Sequence, residues 1–163
     1  MDGIVVFLRG HNPAEITRQI KRRRISVMVC VPKMMEMLKE HVERTYPEVL
    51  QPLPAGGSLG KLGFLRNWWA YRRVHRAFGW KFWAFIVGAA PLSGELEAFW
   101  RRLGYVVIQG YGLTETAPIV SLNHPFKLSH GTVGKPIAGV EIKLAEDGEI
   151  LVKGENITEG YFS

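Results

Sequence analysis

Between Ser93 and Gly104 every local rule points to one helix, and that helix constrains what the rest of the chain can become. Leu96, Phe99, Trp100 and Leu103 recur at i, i+3, i+4 and i+7, which places them on one face. Ser93 is a capping residue. Glu95 and Glu97 suit the positive end of a helix and Arg101 and Arg102 the negative end, while Gly104 can take the left-handed stop. Apolar runs flank it, residues 81–87 before and 105–109 after. A helix with one apolar stripe between two strands reads as a crossover unit, so those strands should be parallel neighbours.

The alternation recurs upstream. Residues 3–8 read as a short buried strand. Asn12-Pro13 opens a helix, with Asn as cap, Pro at the first position and Glu15 near the positive end. Ile16 and Ile20 share a face, and the basic run 21–24 suits the helix end. Residues 25–31 are apolar and β-branched, a second strand. Pro32 starts another helix, with Met34, Leu38 and Val42 at roughly helical spacing. The expected fold class is α/β, a parallel sheet with flanking helices.

Residues 47–63 break the pattern with Pro47, Pro52, Pro54 and Gly56, Gly57, Gly60 and Gly63, a loop. Helix is predicted again over 64–78, with Phe64, Trp68, Tyr71, His75 and Phe78 on one stripe and Arg66, Arg73 and Arg76 roughly opposite. His75 on that stripe reads as a core histidine. After Pro118, residues 140–144 and 149–153 alternate around Glu146-Asp147-Gly148, a hairpin signal. The predicted division is an α/β unit over 1–121, carrying a basic aromatic insert at 47–81, and part of a small β subdomain over 122–163.

Charge narrows the function classes. The net charge is +6, yet residues 49–94 hold Lys61, Arg66, Arg72, Arg73, Arg76 and Lys81 and no acidic residue. The remainder is balanced, with 15 basic and 15 acidic residues, so the whole excess is one local surface. No reader motif accompanies it, and nucleic-acid binding is not expected. A basic aromatic helix does suit peripheral contact with anionic lipid. The single Cys30 excludes an internal disulfide and lies in an apolar run, where a buried structural thiol is expected. Asp2 and Arg9 interrupt the first apolar stretch, so no signal peptide is expected, and cytoplasmic placement follows as an expectation. No His/Cys cluster has metal-ligand spacing.

The chemistry concentrates in residues 109–116, Gln109-Gly110-Tyr111-Gly112-Leu113-Thr114-Glu115-Thr116. Glycines let a flat ligand approach the backbone, and an aromatic gives it a stacking face. A hydroxyl beside a carboxylate can hold phosphate oxygens and magnesium, which prefers oxygen ligands. The run lies at the carboxyl end of the predicted strand 105–109, where open α/β sheets bind ligands, and Gly88-Ala89-Ala90-Pro91 ends the preceding strand in the same way.

The run resembles the Tyr-Gly-x-Thr-Glu signature of adenylate-forming enzymes, the acyl-CoA synthetase and luciferase superfamily. Three further segments resemble that family in order: residues 87–93, residues 131–136 with Gly134-Lys135-Pro136, and residues 148–154 followed by Gly160-Tyr161. The resemblance implies ATP, Mg²⁺ and coenzyme A as cofactors. It implies two half-reactions: a carboxylate attacks the α-phosphate of ATP, and a thiol then takes the acyl group. It implies Thr114 and Glu115 as catalytic residues, with Glu115 on magnesium and Thr114 at the α-phosphate. Tyr111 would stack on adenine. Gly88, Ala89, Ala90 and Pro91, with Gln109, Gly110 and Gly112, would line the nucleotide and acyl pocket.

The family's Ser/Thr/Gly-rich phosphate loop ending Pro-Lys-Gly is missing. Residues 55–62 do not replace it, because Ala55 stands where a first Gly belongs and Leu62 where a Ser or Thr would. The ribose-binding aspartate and the adenylation lysine would fall beyond Tyr161. The chain thus resembles the centre of a synthetase, completed by missing N- and C-terminal parts, and alone it is expected to be inactive. The insert ending Arg72-Arg73-Val74-His75-Arg76-Ala77-Phe78-Gly79 resembles long-chain fatty acyl-CoA synthetases and implies a fatty acid substrate. An acyl-acyl-carrier-protein ligase, or a non-catalytic membrane- or nucleic-acid-binding module using residues 61–81, are the rival readings.

Overall fold

In the computed structural model, residues 3–8, 10–51, 69–124 and 131–161 are described. The elements are helix α1 (Pro13–Arg22), strand β1 (Val27–Cys30), helix α2 (Pro32–Thr45), a 3₁₀ turn (Pro47–Leu50), helix α3 (Arg72–Phe78), strand β2 (Ala84–Val87), helix α4 (Gly94–Arg102), strand β3 (Val106–Tyr111), a second 3₁₀ turn (Thr114–Thr116), and strands β4 (Ser121–Leu122), β5 (Lys135–Pro136), β6 (Val140–Leu144) and β7 (Ile150–Gly154).

Local chemistry sets the helix ends. Asn12 accepts bonds from the Ala14 and Glu15 amides at 3.0 and 3.3 Å, with Pro13 in the first turn. Ser93 accepts from the Leu96 amide at 3.2 Å. Gly104 stops α4 at φ 91°, a backbone state that would strain an L side chain. Helix α2 buries Met35, Leu38 and Val42, with Met34 only partly covered, so the stripe is turned slightly from the predicted one.

Strands β1, β2 and β3 are parallel, with Met28, Phe85 and Val107 in one register row and therefore on one face. All four helices contribute to the single core that covers this face, which includes Ile20, Leu38, Phe78 and Trp100. Trp100 is fully buried at its centre, with ring centroids of Phe85 at 4.7 Å, Phe99 at 5.2 Å, Tyr105 at 5.8 Å and Phe78 at 5.9 Å.

The structure departs from the expected all-parallel sheet. β4 and β5 continue the same five-stranded sheet in antiparallel sense. The link from Tyr111 to Ser121 is too short for the dozen or more residues a parallel crossover needs, so the chain turns back instead. β6 and β7 form a separate two-stranded hairpin around Asp147-Gly148.

Residues 3–8 are not a buried strand. They form no ladder, and Ile4 and Phe7 are 93% and 90% exposed, along an apolar groove shared with Val27, Val29 and Ile20. Apolar β-branched residues give strand propensity but cannot supply a paired edge, and pairing decides. The predicted helix 64–78 is described only from residue 69. Its regular part is α3, which buries Val74, His75 and Phe78 and exposes Arg73 and Arg76. Phe64, Arg66 and Trp68, and the loop 55–62, lie outside the described residues. No helix among the described residues is long and apolar enough to cross a membrane.

Candidate functional site

The register puts the predicted site together. Cys30, Val87 and Gln109 occupy one row, where the parallel ladder ends, and β3 runs on two residues to Tyr111. The turn that follows β2 and the end of β3 then run side by side. A Cβ added at Gly88 would lie 3.4 Å from the Gly110 carbonyl oxygen, which measures how close the two backbones come. Ala89, next along, has φ 68°, an uncommon conformation for a side-chain-bearing residue. Ala90 and Pro91 follow at the exposed rim.

On the neighbouring turn Gly112 is sterically obligatory. A Cβ there would fall 2.0 Å from the Pro118 carbonyl oxygen, so only glycine lets the loop close on itself. Gly110 is less constrained, since the nearest atom to the corresponding position is the tip of the Leu122 side chain, Cδ1, at 3.0 Å. Tyr111 is half-buried and held by the ladder to Ser121, its carbonyl accepting from the Val120 amide at 2.8 Å. Thr116 is the internal clamp: its hydroxyl accepts from the Leu113 amide and donates to the Leu113 carbonyl, both at 2.9 Å. That leaves Thr114, on the exposed side of the same 3₁₀ turn, as the hydroxyl facing solvent.

Glu115 is half-exposed. The Tyr161 hydroxyl donates to its carboxylate, which together with a backbone hydrogen bond lowers its pKa and keeps it anionic. The same contact raises the pKa of Tyr161. Three more bonds draw residues 156–161 over the motif: the Thr158 amide donates to the Glu115 carbonyl at 2.9 Å, and Asn156 Nδ2 donates to the Thr116 and Ile119 carbonyls at 2.7 and 3.1 Å. Sequence reasoning missed this strap. Gly160-Tyr161 stood in a family-like segment, but the 46 residues separating Tyr161 from Glu115 gave no sign of contact.

A second missed residue is Glu97. Placed by sequence as a helix-end charge, it is buried, accepting from Arg101 at 3.0 Å and from Gln109 Nε2 at 3.2 Å. It ties the first residue of the motif to α4. Its signal was its i, i+4 spacing to Arg101 together with its place next to the buried Leu96.

The two other reactive candidates stay out of the chemistry. Burial pushes the Cys30 thiol up to about 12, so it is protonated at neutral pH and inert as a nucleophile. His75 sits in the core with Nε2 2.8 Å from the Leu103 carbonyl oxygen, and burial lowers its pKa. Among the described residues no group of three or more His, Cys, Asp or Glu gathers to cage a metal. A lone anionic carboxylate beside an exposed hydroxyl fits magnesium held chiefly by substrate phosphates, which is how that ion usually binds.

Comparisons with known proteins agree with this geometry. A family model described as AMP-binding enzyme matches residues 2–162. The chain is 40% identical over 92 residues to a long-chain-fatty-acid–CoA ligase, FadD15, of Mycobacterium bovis, covering 56% of this chain and 15% of the relative. It is 31% identical over 163 residues to a 2-succinylbenzoate–CoA ligase of Listeria monocytogenes, covering 98% of this chain and 28% of the relative. The fold matches the o-succinylbenzoate coenzyme A synthetase of Bacillus subtilis, solved with ATP and magnesium ion. That match has a TM-score of 0.61 and 22% identity, and covers 92% of this chain and 27% of the other. The chain therefore spans well under a third of the length of each of these proteins.

Proposed function

This chain belongs to the AMP-binding enzyme family, and we propose that it supplies one wall of the adenylation site of an ATP-dependent fatty acid–CoA ligase. The observation that carries this reading is the side-by-side course of the turn after β2 and the end of β3. It sets a glycine-floored cradle beside an anionic carboxylate and an exposed hydroxyl. Acyl- and aryl-acid ligases both occur among the relatives. The 40% identity to a long-chain ligase favours a fatty acid.

The chemistry asked of this wall is modest. A fatty acid carboxylate is already anionic, so its attack on the α-phosphorus of ATP needs no general base. The new oxygen–phosphorus bond forms as pyrophosphate leaves, and a coenzyme A thiol then displaces AMP from the acyl carbon. Both steps depend on alignment and on neutralising phosphate charge. Gly88 and Ala89 would form the floor on which a planar base lies flat, Gly110 and Gly112 let the neighbouring loop close beside it, and Tyr111 would offer its ring to that base. Gln109 is held by Glu97 at the start of the turn. Thr114, exposed on the 3₁₀ turn, would offer its hydroxyl to the α-phosphate. Glu115 would hold magnesium, which when bound offsets the phosphate charge.

The test uses non-hydrolysable acyl-adenylate analogues with the acyl phosphate replaced by a sulfamate, measured by calorimetry. The palmitoyl analogue is expected to bind more tightly than an o-succinylbenzoyl one, and Glu115→Gln should abolish any gain from added magnesium. Tighter binding of the aryl analogue would overturn the fatty acid assignment alone. No binding of either would remove the nucleotide site from this chain. ATP–pyrophosphate exchange with palmitate should stay at background for the 163-residue chain, and turnover there would show that no further part is needed.

A further inference from the structure

Away from the cradle, the turns leaving α1 and α3 are pressed together. A Cβ added at Gly79 would lie 3.2 Å from the Lys21 Cα. Between these turns lies an open cleft of about 320 Å³ whose walls carry Lys21, Arg24, Arg76 and Lys81, with Trp80 beside them. Its floor is apolar, with the half-exposed Ile25 lying over the buried Ile20 and Phe78. No acidic residue lines it, and none of the four cations makes an ion pair among the described residues. Helix C-termini attract cations, which accounts for one or two of these charges but not for four around a single hollow.

The aromatic residues extend this surface. Trp80 is 57% exposed and Trp69 is 65% exposed. The Arg72 guanidinium lies 5.2 Å from the Trp69 ring, and Arg72 and Arg76 are one turn apart on α3. Along the chain the exposed Trp69, Arg72 and Arg76 thus lead to Trp80 and Lys81 at the cleft. Indoles prefer the boundary between water and hydrocarbon, and clustered Lys and Arg are drawn to anionic headgroups. A nucleic acid would also answer the charge, but an apolar floor suits the glycerol and upper acyl region of a lipid better than a phosphodiester backbone.

We propose that the cleft between the α1 and α3 turns docks this protein on an anionic phospholipid bilayer, with a headgroup held among Lys21, Arg24, Arg76 and Lys81 and the Trp80 indole in the interfacial layer. The experiment is vesicle flotation of the full chain. It compares pure phosphatidylcholine with phosphatidylcholine and phosphatidylserine at about 7:3, a mixture that carries the negative surface potential of a cytoplasmic leaflet. Binding to the anionic vesicles alone, weakening with salt, is expected. Each cation near such a surface contributes roughly fivefold, so Arg76→Gln with Lys81→Gln should weaken binding about thirtyfold. Trp80→Ser should weaken binding to the anionic vesicles without changing its dependence on salt. Circular dichroism checks that the variants fold. If they do not, the salt dependence of the unaltered chain and the single Lys81→Gln variant decide. Undiminished binding by a folded double variant, equal binding to neutral vesicles, or displacement by millimolar inorganic phosphate would overturn the proposal. So would stronger binding to an oligonucleotide than to the anionic vesicles.

Discussion

Gly112 and Glu115 carry the sharpest consequences at the scale of single residues. Gly112→Ala would drive a methyl group into the Pro118 carbonyl, a backbone atom that cannot swing aside. We expect a loss of about 2 kcal/mol or more in urea unfolding, in the range of backbone-level overpacking. Gly148→Ala is the control: the space there is open and only its φ of 88° is costly, so about 1 kcal/mol is expected. The Tyr161 hydroxyl depresses the Glu115 pKa. The folded value lies below the unfolded one, so any associated stability is present above the ordinary carboxylate pKa and fades as pH falls through the folded value. Tyr161→Phe should return the Glu115 carboxyl toward its ordinary titration in a carboxyl-selective NMR experiment; an unchanged titration would show that this hydroxyl does not tune it. His75 runs on a different clock. Its folded pKa is lowered by burial, so protons favour the unfolded chain. Stability should be full above the unfolded histidine value, about 6.5, and decline as pH drops below it toward the folded value. A His75→Phe chain should lose that part of the slope in unfolding midpoints measured between roughly pH 7 and 5. That the motif and Gly88–Pro91 both follow strand ends could be read from residue type and spacing, while their roles came from the resemblance. Tyr161 and Glu97 could not, because their roles depend on long-range partners that one sequence does not reveal.

Elements were most legible where several short-range signals agreed. Helix α4 has cap, stripe, end charges and stop glycine, and the structure places it at Gly94–Arg102. Helix α1 was equally readable from Asn12-Pro13. Removing either cap tests how far these ends rest on local chemistry. Ser93→Ala and Asn12→Ala should each cost about 1 kcal/mol in thermal unfolding, and neither change should alter the sheet. Legibility failed where the signal was only apolar content. Residues 3–8 have strand-like composition, yet no edge pairs with them. The antiparallel return through β4 was hidden because two-residue strands carry no periodicity to detect. Segment 131–136 was noticed only for its family-like pattern. Its structural part is to hold β4, with Ser121 Oγ donating to the Val133 carbonyl at 2.9 Å and Asn123 Nδ2 to the Thr132 carbonyl at 2.6 Å.

At the scale of the whole molecule, one aromatic core stabilises the layer that carries the site. Trp100 is its hub, so Trp100→Ala should remove about 3–5 kcal/mol in urea unfolding, a large fraction of the roughly 5–15 kcal/mol of an ordinary domain. The register of the sheet also has a kinetic meaning. β1 and β2 pair although residues 27 and 84 lie far apart in the chain, whereas β6 and β7 close around a turn of a few residues. Local hairpins form in about 1–10 μs, and long loops close only after paying their entropy. In pulsed hydrogen exchange the amides of residues 140–154 should therefore gain protection first, and those of β1 and β2 later. The amide of Thr158, which bonds to Glu115, needs both parts in place and should be protected last. The cradle would then be finished only when the chain from either side of it has arrived, so on the proposed function a partly folded molecule would hold no nucleotide.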